Sequence, residues 1–147
     1  MSKPVIGEAR LRVRYAETDK MGVVYHANFL VWFEVGRVEL LRQLGFNYRD
    51  MEIEDDCHIA VVDVRCRYRL PARYDDEIVV RTSLKNMRES LLHFGYEIVR
   101  ASDNALLADG ESTHIAVNSK IEKTPLPEKY RKAFAEIAML NHKGHEG

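Results

Sequence analysis

At 147 residues, the chain suits one domain around a single core. Its 46% hydrophobic and 31% charged content excludes a disordered chain, and a net charge of −1 gives no global pull toward nucleic acid or acidic lipid. No apolar run approaches the ~20 residues of a bilayer span, and the opening "MSKPVIGEAR" lacks the apolar core of a secretion signal, so a cytoplasmic protein is expected.

Residues 8–17 alternate, with Ala9, Leu11, Val13 and Tyr15 on one face and Glu8, Arg10, Arg12 and Arg14 on the other. That period predicts a half-buried strand. A loop with Asp19 and Gly22 follows. From about Ala27 to Leu44 the spacing is helical, and Gly45 is a good C-terminal stop. This helix is apolar nearly all round, so it must be covered on all sides. Gly36, in its middle, costs about 1 kcal/mol against alanine, and its expected role is to let another backbone approach closely.

The second half is strand-rich. Val62, Val64, Cys66, Tyr68 and Leu70 alternate with Asp63, Arg65, Arg67 and Arg69. Cys57 and Cys66, placed on that same extended segment, are too far apart to bridge, so free thiols in a reducing compartment are expected. "PARYDDE" turns the chain, "IVVRTSLKN" alternates again, and "MRES" reads as a hairpin connection. "LLHFGYEIVRA" places Leu92, Phe94, Tyr96 and Ile98 on one side; "SDN" turns and "ALLADGESTHIAVN" returns. Short connections between these strands predict an antiparallel meander. Tyr130, Phe134, Ile137 and Ala138 mark a peripheral amphipathic helix behind proline. The whole reads as one α+β domain over residues 1–147, with a core of about 8–135: a curved sheet of about five strands around one long central helix. Helix faces that one sheet leaves open predict at least a dimer.

The segment before the helix has the parts of a carbonyl site. A helix N-terminus leaves about four backbone N–H groups without intrahelical partners and carries roughly half a positive charge. Donors near Tyr25–Ala27 would receive an oxygen that gains negative charge, as an oxyanion hole does. Asp19 could reach the same point, either to attack the carbon or to take a proton from water; the residues leave both open. Thioesters suit so sparse a site, because sulfur donates poorly into the carbonyl and the thiolate leaves readily. Each residue also has a plainer use. Asp19 equally fits an Asx turn or a cap, Gly22 a turn, Tyr15 core packing, His26 a backbone hydrogen bond, Asn28 a first helical turn, and Glu34 a partner for Arg37. His58, His93, His114, His142 and His145 are scattered without zinc spacing, so no metal and no redox cofactor is expected.

"YAETDKMGVVYHANFLVWFEVGRVELLR" closely resembles the signature of hotdog-fold acyl-CoA thioesterases, in the 4-hydroxybenzoyl-CoA thioesterase family and its tol-pal-associated subgroup. Tyr15, Asp19, Gly22, Val24, Tyr25, His26 and Asn28 fill the motif. "YRLPARYDDEIVVRT" and "GESTHIAVN" resemble later blocks. The resemblance implies a homodimer, often paired into a homotetramer, with active sites at the dimer interface. It implies hydrolysis of acyl-CoA, sometimes acyl carrier protein, with no cofactor beyond the CoA of the substrate. It implies that Asp19 is the essential carboxylate, that the His26 backbone N–H meets the thioester oxygen, and that the Tyr15 and His26 side chains support them. That pair argues for an aliphatic acyl group over 4-hydroxybenzoyl. The acyl chain is expected near Ile59, Ala60 and Val61, across the dimer. Arg65, Arg67, Arg69, Arg73 and Arg81 are candidates for a CoA phosphate and equally fit a solvated cationic face. Two rival functions are a non-catalytic acyl-CoA binding module and a hotdog hydratase or dehydratase.

Overall fold

The computed structural model describes residues 6–146, with the backbone alone at residue 6 and at residues 138–146. The side chains of Ala138, His142 and His145 therefore lie outside the described residues. In chain order the elements are β1 (Ile6–Arg12), a 3-10 turn (Tyr15–Glu17), α1 (Asn28–Gln43), α2 (Tyr48–Glu54), β2 (His58–Tyr68), β3 (Glu77–Arg88), β4 (Leu91–Arg100), β5 (Leu106–Val117) and α3 (Glu128–Glu146). The five strands form one antiparallel sheet in the order β1-β3-β4-β5-β2. The α+β class and the five strands agree with the sequence reading. The strand order departs from a simple meander, because β2 leaves β3 and pairs with β5. That places β2 at a sheet edge, with β5 as its one neighbour.

One face of the sheet holds α1, against β1 and β3. Phe29, Trp32, Phe33, Leu40 and Leu41 are buried, and Phe33 stacks on Tyr96 with ring centroids 4.2 Å apart. Burying each such side chain contributes about 1.5–3 kcal/mol, so this one stripe anchors the helix. The opposite stripe is bare: Leu30, Val31 and Val35 are exposed. Gly36 lies against β3, but what approaches it is side chain, the Thr82 hydroxyl and a Val80 methyl, and not the expected backbone.

Two elements differ from the alternation pattern. The first strand stops at Arg12, five residues early, because the chain folds into the 3-10 turn with Glu17 N–H donating to the Arg14 carbonyl. α2 was not evident from periodicity. Asn47 caps it by accepting from the Asp50 N–H at 2.9 Å, and Met51 is its one buried residue. The two cysteines are free, Cys57 standing just before β2. Tyr130, Phe134 and Ile137 of α3 are buried as their spacing predicts, with Phe46 edge-on to Tyr130.

A polar chain runs through this core. Arg37 Nη1 donates to Tyr96 Oη at 3.0 Å, Tyr96 Oη meets Ser112 Oγ, and Ser112 Oγ meets His114 Nε2 at 2.7 Å. A guanidinium can only donate. Tyr96 Oη is therefore the acceptor in that first bond. Burial, then the Arg37 charge, push His114 down to about 3. An unfolded histidine titrates near 6.5, so between pH 6.5 and about 3 the unfolded state binds the extra proton. Stability is full above pH 6.5 and is lost as pH falls, by about 1.4 kcal/mol per unit from this residue. Urea titrations between pH 7 and 5 should show that dependence in the parent and a flatter one in His114→Gln.

Candidate active site

Asp19 sits in a loop closed on itself. Its N–H donates to the Val23 carbonyl at 2.8 Å, and its Oδ1 accepts from Met21 N–H at 2.8 Å and, more loosely, from Val23 N–H at 3.4 Å. Gly22 makes this possible with φ +80, a conformation that costs L side chains strain. The Asx-turn reading and the reactive-carboxylate reading of Asp19 are therefore compatible: one oxygen holds the loop, and Oδ2 has no hydrogen-bond partner among the described residues. Val24, buried, ties the loop to the Ala72 carbonyl at 2.8 Å.

The helix start lies beside this loop. Asn28, Phe29 and Leu30 N–H groups donate to the Tyr25, His26 and Ala27 carbonyls. Tyr25 N–H donates to the Glu17 carbonyl at 2.9 Å. Between them, the backbone N–H groups of His26 and Ala27 have no partner among the described residues. Each belongs to a peptide whose carbonyl is itself an acceptor, which strengthens the N–H as a donor. The His26 carbonyl accepts twice, from Phe29 N–H at 3.2 Å and from the Tyr68 hydroxyl at 3.1 Å. Burial, and then the neighbouring Cys66, push the Tyr68 phenol up to about 12, so it stays a donor at neutral pH.

Asp19, Val23, Val24, His26 and Phe29 line one side of a cleft of about 360 Å³, and Tyr68, Arg69, Leu70 and Pro71 line the other. The cleft thus joins the carboxylate, the helix start and the end of β2. Not every expected residue is there. Tyr15 does not pack in the core; it is 77% exposed, edge-on to Tyr74, and lies outside the cleft. Tyr25 is exposed, with its ring 4.5 Å from that of His26. Asn28 Nδ2 donates to the Glu17 carbonyl at 2.9 Å, so it braces the turn. Ile59, Ala60 and Val61 lie at the other end of β2 from Tyr68, about 3.3 Å further per residue. Among the arginines, Arg65 pairs with Asp63, Arg67 and Arg69 with Asp109, and Arg81 with Glu8. The Arg73 side chain has no partner among the described residues. Tyr68 and Glu17 were missed as site residues. The signal for Glu17 was its parity, since continuing the alternation Ala9, Leu11, Val13, Tyr15 puts an acid on the inward face.

Comparison with known proteins agrees with this architecture. The family model described as "Thioesterase-like superfamily" matches residues 13–134. A putative acyl-CoA thioesterase, YneP, of Bacillus subtilis is 40% identical over 89% of this chain and 91% of its own length. The acyl-CoA thioester hydrolase YbgC of Escherichia coli is 33% identical over 86% of this chain and 93% of its own. A solved DHNA-CoA thioesterase from Staphylococcus aureus superposes with a TM-score of 0.89 at 29% identity, covering 95% of both chains. The chain belongs to the thioesterase-like superfamily and is a hotdog-fold thioester hydrolase.

Proposed function

We propose that the chain hydrolyses acyl-CoA to the free acid and CoA at the cleft between the Asp19 loop and the start of α1. The observation that carries this reading is one cleft lined both by Asp19, whose Oδ2 has no hydrogen-bond partner among the described residues, and by His26, whose N–H, like that of the next residue Ala27, has no acceptor among them. The thioester carbonyl oxygen docks on the His26 and Ala27 N–H groups, which stabilise the negative charge that grows there. Asp19 either attacks the carbonyl carbon, giving an anhydride that water opens, or removes a proton from an attacking water. In both routes the C–S bond breaks and CoA leaves as thiolate. Water is the co-substrate, and no metal or cofactor takes part. Single-turnover hydrolysis in isotopic water separates the routes: label in the aspartate means the covalent one. Arg69, at the cleft wall, is a candidate for a CoA phosphate, and Arg73, whose side chain has no partner among the described residues, is a second.

The assembly is a homodimer joined through β2, or a homotetramer of such pairs, in the cytoplasm. Support comes from the exposed Val61, Val62 and Val64 on an edge strand, an apolar edge that a monomer leaves open to aggregation. A second copy paired antiparallel about the middle of β2 would set its Ile59, Ala60 and Val61 beside the Tyr68 end of this one, giving the acyl chain an apolar wall. Val62→Lys with Val64→Lys should yield monomers by light scattering and lower turnover about tenfold. Unchanged mass and rate would remove this assembly.

The acyl group is taken as aliphatic; the likeness to the DHNA-CoA thioesterase favours a second reading, with that substrate. A thiol-release screen over short to long acyl-CoAs, DHNA-CoA and acyl carrier protein decides between them. Tight binding without thiol release would instead favour a binding module, and hydration of an enoyl-CoA a hydratase.

A further inference from the structure

We infer that Glu17 is a positioning residue, the brace that holds the Asp19 loop on the start of α1. Its side chain is buried in the 3-10 turn two residues before Asp19. Oε1 accepts from Arg14 N–H at 2.8 Å and pairs with Arg14 Nε at 3.5 Å, while Oε2 accepts from Trp32 Nε1 at 3.1 Å. Its backbone carbonyl accepts from Tyr25 N–H and Asn28 Nδ2, both at 2.9 Å. One residue therefore bonds to the turn that leads into the Asp19 loop, to the chain just before the free amides, and to α1 one turn further on. A buried carboxylate needs such partners, because desolvation is costly unless its lone pairs are used. Here every partner belongs to one of the two halves of the site. A slip of about 1 Å between the carboxylate and the amides can cost about a hundredfold in rate.

This inference rests on the catalytic reading of Asp19 and the helix start. Its test uses a feature of the chain: Trp32 is the single tryptophan, so its emission reports the Glu17 contact directly. Glu17→Gln offers one acceptor where two donors converge, so one bond is lost at nearly constant volume. Trp32→Phe removes the indole donor from the other side. Both variants and Asp19→Asn would be compared by melting and steady-state thiol release, with emission read in Glu17→Gln and Asp19→Asn, which keep Trp32. The expected result is a kcat lower by about tenfold or more in each brace variant, with KM within about twofold, and no further loss in the double variant. A role in folding alone would lower melting temperature and leave kcat per folded molecule unchanged, and that result overturns the brace. Glu17→Gln at parental kcat beside an inactive Asp19→Asn overturns the brace alone. Asp19→Asn at parental kcat overturns the catalytic reading on which it rests. If Glu17→Gln fails to fold, Trp32→Phe gives the same decision.

Discussion

Asp19→Asn will release thiol from acyl-CoA about a thousandfold more slowly than the parent, with little change in fold or in CoA affinity. The asymmetry of the aspartate's contacts is the reason. Oδ1 accepts from the Met21 and Val23 N–H groups, and an asparagine carbonyl oxygen can do the same, so the loop survives. What is lost is the second oxygen, the one with no partner, as nucleophile or base. Alanine at this position is a poorer probe because it also frees the loop amides. Melting curves and CoA titrations beside the thiol assay separate chemistry from folding. A variant that folds, binds CoA and still turns over at the parental rate would remove the carboxylate from the mechanism.

Gly36→Ala is expected to carry the largest stability cost, about 3 kcal/mol, within the range for overpacking a closed core. A methyl group there would meet the Thr82 hydroxyl at 2.2 Å and a Val80 methyl at 2.8 Å. Neither can swing away, since Thr82 and Val80 are fully buried on β3, which is flanked by β1 and β4. The helix must lift, and lifting strains the Phe33–Tyr96 stack and the Arg37–Tyr96 hydrogen bond on the same face. Thr82→Ala should relieve most of this. The Thr82 hydroxyl is buried and has no hydrogen-bond partner among the described residues, so removing it forfeits little. Urea unfolding of the two single variants and the double should therefore show strong non-additivity, with the double close to Thr82→Ala. Additive costs would mean that the clash is taken up elsewhere.

Much of this fold was legible because period carries burial. The alternation in β3, β4 and β5 and the spacing of Tyr130, Phe134 and Ile137 gave both elements and inward faces. Strand order was not legible, since β2 alternates as its neighbours do and nothing local says that it pairs with β5. The helix looked apolar nearly all round, yet this chain covers one side of it and leaves Leu30, Val31 and Val35 exposed beside the charged Glu34. In the site, the Asp19–Gly22 loop and the helix start were visible from residue types. Tyr15 misled because its place in an alternation holds only while the backbone stays extended, and the 3-10 turn carries it out to solvent. Tyr68 was read as one more inward strand residue, and its hydroxyl on the His26 carbonyl depends on a contact 42 residues away in sequence. Glu17 carried the inward parity of that alternation, but its partner Trp32, 15 residues on, was not legible.

The most direct measurement is a crystal structure of Asp19→Asn with an intact acyl-CoA bound. The thioester oxygen should lie about 3 Å from the His26 or Ala27 backbone nitrogen, with the carbonyl carbon facing the side chain at position 19. A thioester seated away from these amides, with position 19 turned from the carbonyl, would contradict the account.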